Sequence, residues 1–447
     1  MRMFSWKKAG AGAGVLCALL IGVGCSDTYR PIATAIVKPG GDPQPAKWVY
    51  AVYTNPTGTT GTPGPGTLQQ IDVSGDSVAV NINVGTNPIN ASFLGTLSSV
   101  IMTVNQGAVP DSSEASITAQ PVCNPQFTTC NPQPASSVTL PTGSIPTNVG
   151  SRQASLVYIL ASVAPGCPEG AVYAVNTSYV VANTTCVGNN PSALTQVPNA
   201  GRLYVINQGD NTVSVLDPVS QAVITTIPVG TNPVMAATDL SGKYVFVANK
   251  GSNNLTVITT SDNSTSTINV GNAPNYIIYS VRRNRLFVTN GGSNDVTVLD
   301  LSGSTPSVLK LSVPVGHNPT GVVPLIDGSR YYVANTNDNT VSVLDANSNV
   351  VVKTVSLGPA AAITQPLYIE TEPTSTKIYV TTPAPPAGTA AANNPNDAPG
   401  ITVIRTDTNG ISNFIQAPQA DPKCQVNPTA GLTCAYQVPK EVLAFPR

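Results

Sequence analysis

The sequence predicts an all-β fold, a β-propeller of four-stranded antiparallel blades, on three observations. A motif recurs about every forty residues, each copy contains four strand-like segments, and the composition disfavours helices. Charged residues make up only 10% of the 447 residues, whereas glycine and proline contribute 37 and 40. The residues from which helices are usually built are therefore scarce, and short strands joined by turns are expected.

The second and third strands of each repeat are the clearest elements. The second is an apolar run that ends in asparagine, and a polar turn rich in Asn and Gly follows it. The asparagines recur at intervals of 41 to 45 residues, at Asn207, Asn249, Asn290 and Asn335. The third strand alternates β-branched apolar residues with Ser or Thr, as in Val213–Asp217 and Val341–Asp345. Alternation with a period of two indicates a strand with one buried face.

A fourth strand in each repeat ends in the pattern Val-Gly-x-x-Pro, for example Val229–Pro233 and Val270–Pro274. Glycine adopts backbone conformations that other residues resist, and proline ends strand pairing, so the chain turns there. A further short strand then leads to the next apolar run. Four strands in about forty residues match one propeller blade.

This unit resembles the YVTN family of β-propeller repeats, whose pattern is Tyr-Val-Thr-Asn, a Gly/Asn turn, Val-Ser-Val-Ile-Asp and Val-Gly-x-x-Pro. The resemblance is strongest from Pro191 to Leu357. Weaker copies begin at Val52, Met102, Val157 and Ile378. We therefore expect eight blades, with seven as the alternative because the repeats diverge towards both ends.

The propeller must close, because an open row of blades leaves strand edges and apolar faces uncovered. Two segments could complete the ring, Ile32–Val37 near the N-terminus and Glu441–Phe445 near the C-terminus. We expect closure that uses both termini.

The first residues are typical of an export signal, with Arg2, Lys7 and Lys8 before an apolar run too short for a comfortable membrane span. The run ends at Gly22–Cys25, which resembles the lipobox of bacterial lipoproteins. The resemblance implies acylation of Cys25, membrane attachment through this lipid alone, and an outer-membrane or cell-surface location. A periplasmic or secreted protein is the alternative. The predicted organisation is a signal peptide (1–24), a tether with a possible closing strand (25–47), the propeller (48–415) and a tail with a cysteine pair and a possible closing strand (416–447).

Six cysteines remain after the leader and the acylated residue are set aside. They form three close pairs in the sequence: Cys123 with Cys130, Cys167 with Cys186, and Cys424 with Cys434. Near neighbours in even number suit local disulfides in an oxidising envelope, with free thiols as the alternative. A zinc site is not expected, because the chain has a single histidine and no C-x₂-C spacing.

Three long insertions, Pro56–Thr67, Ser162–Gly170 and Pro383–Gly400, replace turns between the second and third strands of their blades. Up-and-down topology places all such turns on one rim, together with the crossings between blades. Cys167 and Cys186 would share that rim, and the insertion Pro121–Pro134 would lie on the other. Loops on a rigid scaffold commonly bind partners, so this rim is the candidate binding surface. Tolerated linkers are the alternative.

Residues with catalytic chemistry are few. His317 is interpreted as a turn residue of the repeat, and Asp210, Asp295 and Asp338 as turn caps in preference to calcium ligands. The cluster Arg282, Arg283 and Arg285 is interpreted as a solvated turn in preference to an anion site. We expect no catalytic residue, cofactor or metal. The net charge of −1 argues against a nucleic-acid partner.

The innermost strands Ser192–Thr195 and Met235–Thr238 offer Ala, Thr and Ser to the central channel, which predicts a chemically quiet channel. The function expected is therefore a non-catalytic envelope propeller that presents a protein- or glycan-binding rim, with the oligomeric state open. The alternative is a lactonase-like hydrolase that uses the axial pocket, since phosphogluconolactonase-type propellers are similar in repeat style. Two or more convergent carboxylates in the channel would favour that alternative.

Overall fold

The computed structural model describes residues 48–55, 63–94, 100–107, 115–121, 135–150, 156–197, 201–357, 366, 368–372, 374–382, 399–420 and 436–444. Every regular element in these segments is a β-strand, and the strands form eight four-stranded antiparallel sheets. The predicted propeller is confirmed, with eight blades and not seven. No helix in the described part of the chain meets the length and hydropathy that a membrane span needs.

The strands of each blade are named A, B, C and D from the axis outward. Blade 1 comprises β32 (Val438–Ala444), β1 (Trp48–Asn55), β2 (Gly64–Asp72) and β3 (Ser77–Thr86). Blade 2 comprises β4 (Pro88–Phe93), β5 (Val100–Asn105), β6 (Ser116–Pro121) and β7 (Ser136–Thr139). Blade 3 comprises β8 (Ile145–Gly150), β9 (Leu156–Val163), β10 (Ala171–Asn176) and β11 (Val181–Cys186). Blade 4 comprises β12 (Pro191–Gln196), β13 (Leu203–Asn207), β14 (Thr212–Leu216) and β15 (Val223–Pro228).

The last four blades follow the same order. Blade 5 comprises β16 (Pro233–Thr238), β17 (Tyr244–Asn249), β18 (Asn254–Thr259) and β19 (Thr265–Asn269). Blade 6 comprises β20 (Pro274–Ser280), β21 (Arg285–Asn290), β22 (Asp295–Asp300) and β23 (Ser307–Pro314). Blade 7 comprises β24 (Pro319–Pro324), β25 (Arg330–Asn335), β26 (Thr340–Asp345) and β27 (Val350–Ser356). Blade 8 comprises β28 (Ile369–Thr371), β29 (Lys377–Thr382), β30 (Gly400–Arg405) and β31 (Gly410–Gln416).

The ring closes through its last strand. β32 pairs antiparallel with β1, with Val49 opposite Ala444 and Val52 opposite Glu441, so the end of the chain forms the inner strand of the first blade. β32 also contacts the inner strands of both neighbouring blades, β4 and β28. The C-terminal candidate therefore supplies the closing strand, whereas Ile32–Val37 lies outside the described residues.

The core lies between blades and not within one sheet. B strands are buried along nearly their whole length, whereas D strands such as β15 are mostly exposed. At the boundary of blades 6 and 7, the rings of Phe287 and Tyr331 lie 4.4 Å apart between centroids. Because each sheet is covered on both faces by its neighbours, its middle strands are buried on both faces. The Ser and Thr residues of the C strands are buried too, as Ser214 and Thr297 show, so the expectation of a single buried face for these strands is wrong.

Asparagine ends six of the eight B strands, all but β9 and β29, and there it is buried. Asn249 has no exposed surface, and its Nδ2 donates to Thr256 Oγ1 on the adjacent C strand at 2.9 Å. Asn207 and Asn335 donate in the same way to Ser214 and Ser342, both at 2.9 Å. A buried amide needs such a partner, which explains why asparagine recurs opposite Ser or Thr.

Candidate axial site

In seven blades, one position of the inner strand pairs with the residue three places before the end of the adjacent B strand. In blade 3 the B strand runs two residues further, to Val163, and Gly150 pairs with Tyr158, three places before the residue that faces the start of the C strand. These eight positions lie at one level around the axis. In order from blade 1 to blade 8 they are Glu441, Ser92, Gly150, Thr195, Ala237, Ile278, Val323 and Glu370. Six of them are small or apolar. The two carboxyl groups occupy neighbouring blades, on either side of the junction where the ring closes.

Glu441 is held by a hydrogen bond from the next blade. The backbone N–H of Ala91 on β4 donates to Glu441 Oε2 at 2.7 Å. The Glu441 side chain is partly exposed to water. Burial raises the pKa of Glu441 to about 8, against the opposing effect of the Ala91 N–H, and the charge of Glu370 raises it further. Glu441 is therefore protonated at neutral pH.

Two tyrosines lie two residues before positions of this level, and therefore on the same face of the chain. They are Tyr276, before Ile278 in β20, and Tyr368, before Glu370 at the start of β28. Tyr276 pairs with Thr289 in blade 6, and Tyr368 exchanges hydrogen bonds with Thr381 in blade 8. Burial raises the pKa of both phenols, to about 12 for Tyr368, and the charge of Glu441 acts in the same direction on each. The charge of Glu370 also acts on Tyr276.

The pairing register brings these side chains from blades 1, 6 and 8 to the same part of the axis, near enough for their charges to act on one another. Among the described residues neither tyrosine hydroxyl has a hydrogen-bond partner. Both are neutral donors that are open to a further contact.

A cavity of about 380 Å³ opens beside this cluster. Its lining includes inner-strand residues from blades 2 to 6: Ser92, Gly150, Thr195, Ala237, Tyr276 and Ile278. Tyr276 belongs to both the cavity and the cluster, and so connects them. The volume falls within the range of small-molecule sites. No group of three His, Cys, Asp or Glu side chains that could hold a metal ion occurs within the described segments.

The expectation of a chemically quiet channel is therefore wrong. It was based on the inner strands of blades 4 and 5, which carry Ala, Thr and Ser, whereas blades 8 and 1 carry Glu370 and Glu441. A usable signal existed, because Glu370 stands nine residues before Tyr379, the spacing that separates Ala237 from Phe246. Glu441 lies in the segment expected to close the ring, but nothing in the repeat marked it as a site residue.

The predicted insertions occupy the connections expected of them. Residues 56–63 join β1 to β2, 164–170 join β9 to β10, and 383–399 join β29 to β30, all between B and C strands. The insertions are shorter than predicted, because Thr67, Ser162 and Gly400 belong to strands and Gly170 adjoins one. Thr67 and Gly400 are buried, and the strands extend to include them. Pro56 and Pro383 lie outside the described residues.

One predicted disulfide is present. Cys167, in the B–C connection of blade 3, is bonded to Cys186 at the end of β11, with their Cα atoms 5.1 Å apart. The bond fastens this connection to the outer strand on the same rim. Five other cysteines assigned a role lie outside the described residues: Cys25, Cys123, Cys130, Cys424 and Cys434.

His317 lies in a rim turn, as predicted. Its Nδ1 is 2.7 Å from Asp338 Oδ1, and Asp338 Oδ2 accepts the His317 backbone N–H at 2.7 Å. Asp210 accepts the Asn189 N–H in the equivalent place of blade 4 at 2.6 Å. Asp295 accepts hydrogen bonds from Asn290 and Ser293 within its own turn. A depression of about 520 Å³ beside Asp338 lies on this rim, away from the axial carboxyls.

The arginine cluster is not simply solvated, which corrects the prediction. Arg283 Nε donates to Gly328 O at 2.6 Å, and Arg285 Nη1 donates to Ala346 O at 2.5 Å, both in blade 7. Arg202 and Arg330 make the corresponding bond to the next blade at 2.8 and 2.9 Å. An arginine at the start of a B strand thus donates a hydrogen bond to a backbone carbonyl of the following blade, because the C–D turns leave those carbonyls unpaired.

Comparisons with known proteins agree with this architecture. The chain is similar in fold to three solved propeller-containing structures. The dihydro-heme d1 dehydrogenase NirN, solved in complex with DHE, has a TM-score of 0.63 at 10% identity, over 93% of this chain and 79% of that one. Apo AztD from Citrobacter koseri has a TM-score of 0.57 at 13% identity, over 89% and 98%. A candidate 6-phosphogluconolactonase from Bacteroides uniformis has a TM-score of 0.50 at 11% identity, over 68% and 92%.

These likenesses show the fold alone, since their identities are low. No protein-family model matches the sequence, and no curated protein matches it.

Proposed function

We propose that the protein is a β-propeller that binds a small ligand in its axial channel. The observation that carries this proposal is the convergence of Glu370, Glu441, Tyr276 and Tyr368 from three blades beside a cavity of about 380 Å³. Neutral phenol donors and carboxyl groups beside a cavity of this size are suited to hold a small ligand.

A metabolite library screened by thermal shift and then by calorimetry tests the axial site. Measured at pH 9, above the pKa of Glu441, Glu370→Gln and Glu441→Gln should each weaken binding of any hit about tenfold or more, because hydrogen bonds to charged groups contribute about 1.5–3 kcal/mol. His317→Ala, on the rim, is the matched control and should bind like the wild type. Hits whose affinity is unchanged in both glutamate variants would argue against the axial site.

Hydrolysis of a lactone or sugar ester is the second candidate, and the two convergent carboxyls favour it. Glu441 carries a proton at neutral pH, so it could act as an acid while a neighbouring carboxylate acts as a base. Base consumption measured with δ-gluconolactone tests this candidate. Binding without turnover supports the non-catalytic function, whereas turnover that Glu441→Gln abolishes supports the hydrolase.

The protein is further proposed to be an envelope lipoprotein of the YVTN repeat type, acylated at Cys25. The leader supports export, and the bond between Cys167 and Cys186 suits an oxidising compartment. Labelling of cells with a radioactive fatty acid should mark the wild type and not Cys25→Ser. Equal labelling of both, or recovery of both in the soluble fraction, would contradict lipid attachment.

The rim that carries three B–C insertions is proposed to contact an envelope protein or glycan, independently of the axial ligand. The convergence of long connections on one side of a rigid ring supports this. A pull-down from envelope extract should lose its main partner when residues 384–397 are removed. Identical partners for both forms would contradict the rim assignment.

A further inference from the structure

We infer that the axial ligand is an organic cation, an amine or quaternary ammonium held between the carboxyls of Glu370 and Glu441 and the phenol groups of Tyr276 and Tyr368. This inference rests on the proposed axial site and names its ligand class. It depends on which groups converge there, on what surrounds Glu441, and on how its proton responds to a positive charge.

The convergent groups are all suited to a positive charge. Two carboxyls occupy the same level of neighbouring blades, and each influences the other or the same tyrosine through its charge. A cation between them would offset their repulsion. Tyrosine rings attract ammonium groups through their negative faces, and Tyr368 retains 38% of its surface exposed within the enclosed channel.

Few groups around Glu441 could neutralise the negative charge of its carboxyl, so a ligand could do so. β28 contributes Glu370, the connection before it contributes Tyr368, β20 contributes Tyr276, and β4 contributes only the Ala91 N–H. Lys440 is the preceding residue on β32, but among the described residues no ion pair joins it to Glu441. An anionic ligand would meet the carboxyls and be repelled.

A metal ion fits this site less well than an organic cation. Calcium takes six to eight oxygen ligands and zinc four. Within the described residues no three acidic, histidine or cysteine groups come together. A quaternary ammonium needs no such coordination, because it is held by diffuse charge and by ring faces. The cavity beside Tyr276 leaves room for the rest of the molecule.

Cation binding is coupled to the proton on Glu441. A positive charge beside the carboxyl favours its ionised form, so the bound state has the lower pKa and binding releases a proton. The affinity for a cation should therefore rise as the pH passes through about 8, where the unliganded carboxyl loses its proton. Binding of a neutral ligand would not follow this pattern.

Titration calorimetry with choline tests the inference, and 3,3-dimethylbutan-1-ol is the neutral probe of the same shape. The wild-type protein should bind choline about tenfold or more tightly at pH 9 than at pH 6, and bind the alcohol far more weakly at both. Glu441→Gln should bind choline weakly and without this pH dependence, and Glu370→Gln should weaken binding at both. His317→Ala should match the wild type.

Three results would overturn the inference: no choline binding to the wild type, equal binding of the two probes, or choline affinity that is the same at pH 6 and pH 9. Equal binding of both probes that Glu370→Gln abolishes would show that the ligand class is wrong while the axial site is right. Choline binding that neither glutamate substitution changes would instead contradict the proposed axial site itself. Circular dichroism of each variant establishes that the propeller remains folded.

Discussion

Gly230 and Asn249, from two recurring positions of the repeat, meet where the chain passes from blade 4 to blade 5. A Cβ atom on Gly230 would lie 2.7 Å from Asn249 Cγ, well inside normal contact. The Gly230 N–H and Asn249 Nδ2 both donate to Thr256 Oγ1, at 3.3 and 2.9 Å. The same approach recurs in the pairs Gly85 and Asn105, Gly188 and Asn207, Gly271 and Asn290, and Gly316 and Asn335. The glycine and the asparagine of the repeat therefore pack against each other and form a contact between successive blades.

Gly230→Ala should lower the free energy of unfolding by about 1–3 kcal/mol, because the added methyl group must displace a buried asparagine. Gly75→Ala is the matched control, since among the described residues the only atom near its added Cβ is Ser77 Oγ at 3.5 Å. The control should change stability by less than about 0.5 kcal/mol. Urea unfolding followed by tyrosine fluorescence measures both, and equal stability of the two variants would refute the contact.

Ala273→Asn should stabilise the protein by about 0.5–1 kcal/mol. Ala273 has a φ of 51°, a left-handed conformation that costs an alanine about 1–2 kcal/mol and an asparagine less. Its counterparts before the proline of other repeats are Asn87, Asn190, Asn232 and Asn318, with φ between 49° and 52°. Thermal unfolding checks the increase. Asn232→Ala, the reverse change, should destabilise, and a lower melting temperature for Ala273→Asn would contradict the argument.

Asp76→Ala should lower the free energy of unfolding by about 3 kcal/mol, because it leaves the largely buried ammonium group of Lys377 without a carboxylate and with only the Val73 carbonyl among the described residues. Lys377 Nζ lies 2.7 Å from Asp76 Oδ1, and Tyr379 Oη donates to the same oxygen at 3.0 Å, which joins blade 8 to blade 1. The double variant Asp76→Ala, Lys377→Met should lose less than the sum of the single losses. Denaturant unfolding of all four forms measures the coupling, and strictly additive losses would exclude it.

Stability should fall as pH rises from about 4.5 to about 8, by up to about 1.4 kcal/mol per pH unit from Glu441. The sign follows from proton binding: over this range the folded state keeps the proton that the unfolded chain has lost, so raising the pH favours unfolding. Glu441→Gln should remove this contribution. Denaturant midpoints measured across the range compare the two proteins, and parallel pH profiles would contradict a raised pKa for Glu441.

The blades could be predicted because their signals are local. Period-two alternation in Val213–Asp217, the Asn and Gly turns, and the Val-Gly-x-x-Pro breaks each act over a few residues, and their recurrence favoured eight blades over seven. The pairing of Cys167 with Cys186 followed from the same topology, since it brings a B–C connection and the end of a D strand to one rim.

The axial cluster was missed because its members are distant in the chain and depart from the repeat. Glu370 stands in the short inner strand of a diverged blade, and Glu441 in a closing strand that has no repeat of its own. Tyr276 occupies a position at which blade 5 has Met235 and blade 7 has Gly321. A self-alignment treats such differences as noise.

The sequence by itself determined the strands, their order within a blade and the rim on which each connection lies, and it favoured eight blades over seven, because these depend on side-chain alternation and turn residues close together in the chain. Only the tertiary structure decided that β32 completes the first blade and brings Glu441 beside Glu370. The physical reason is that ring closure joins residues from opposite ends of the propeller, and burial in the resulting channel gives a carboxyl a pKa that no local pattern specifies.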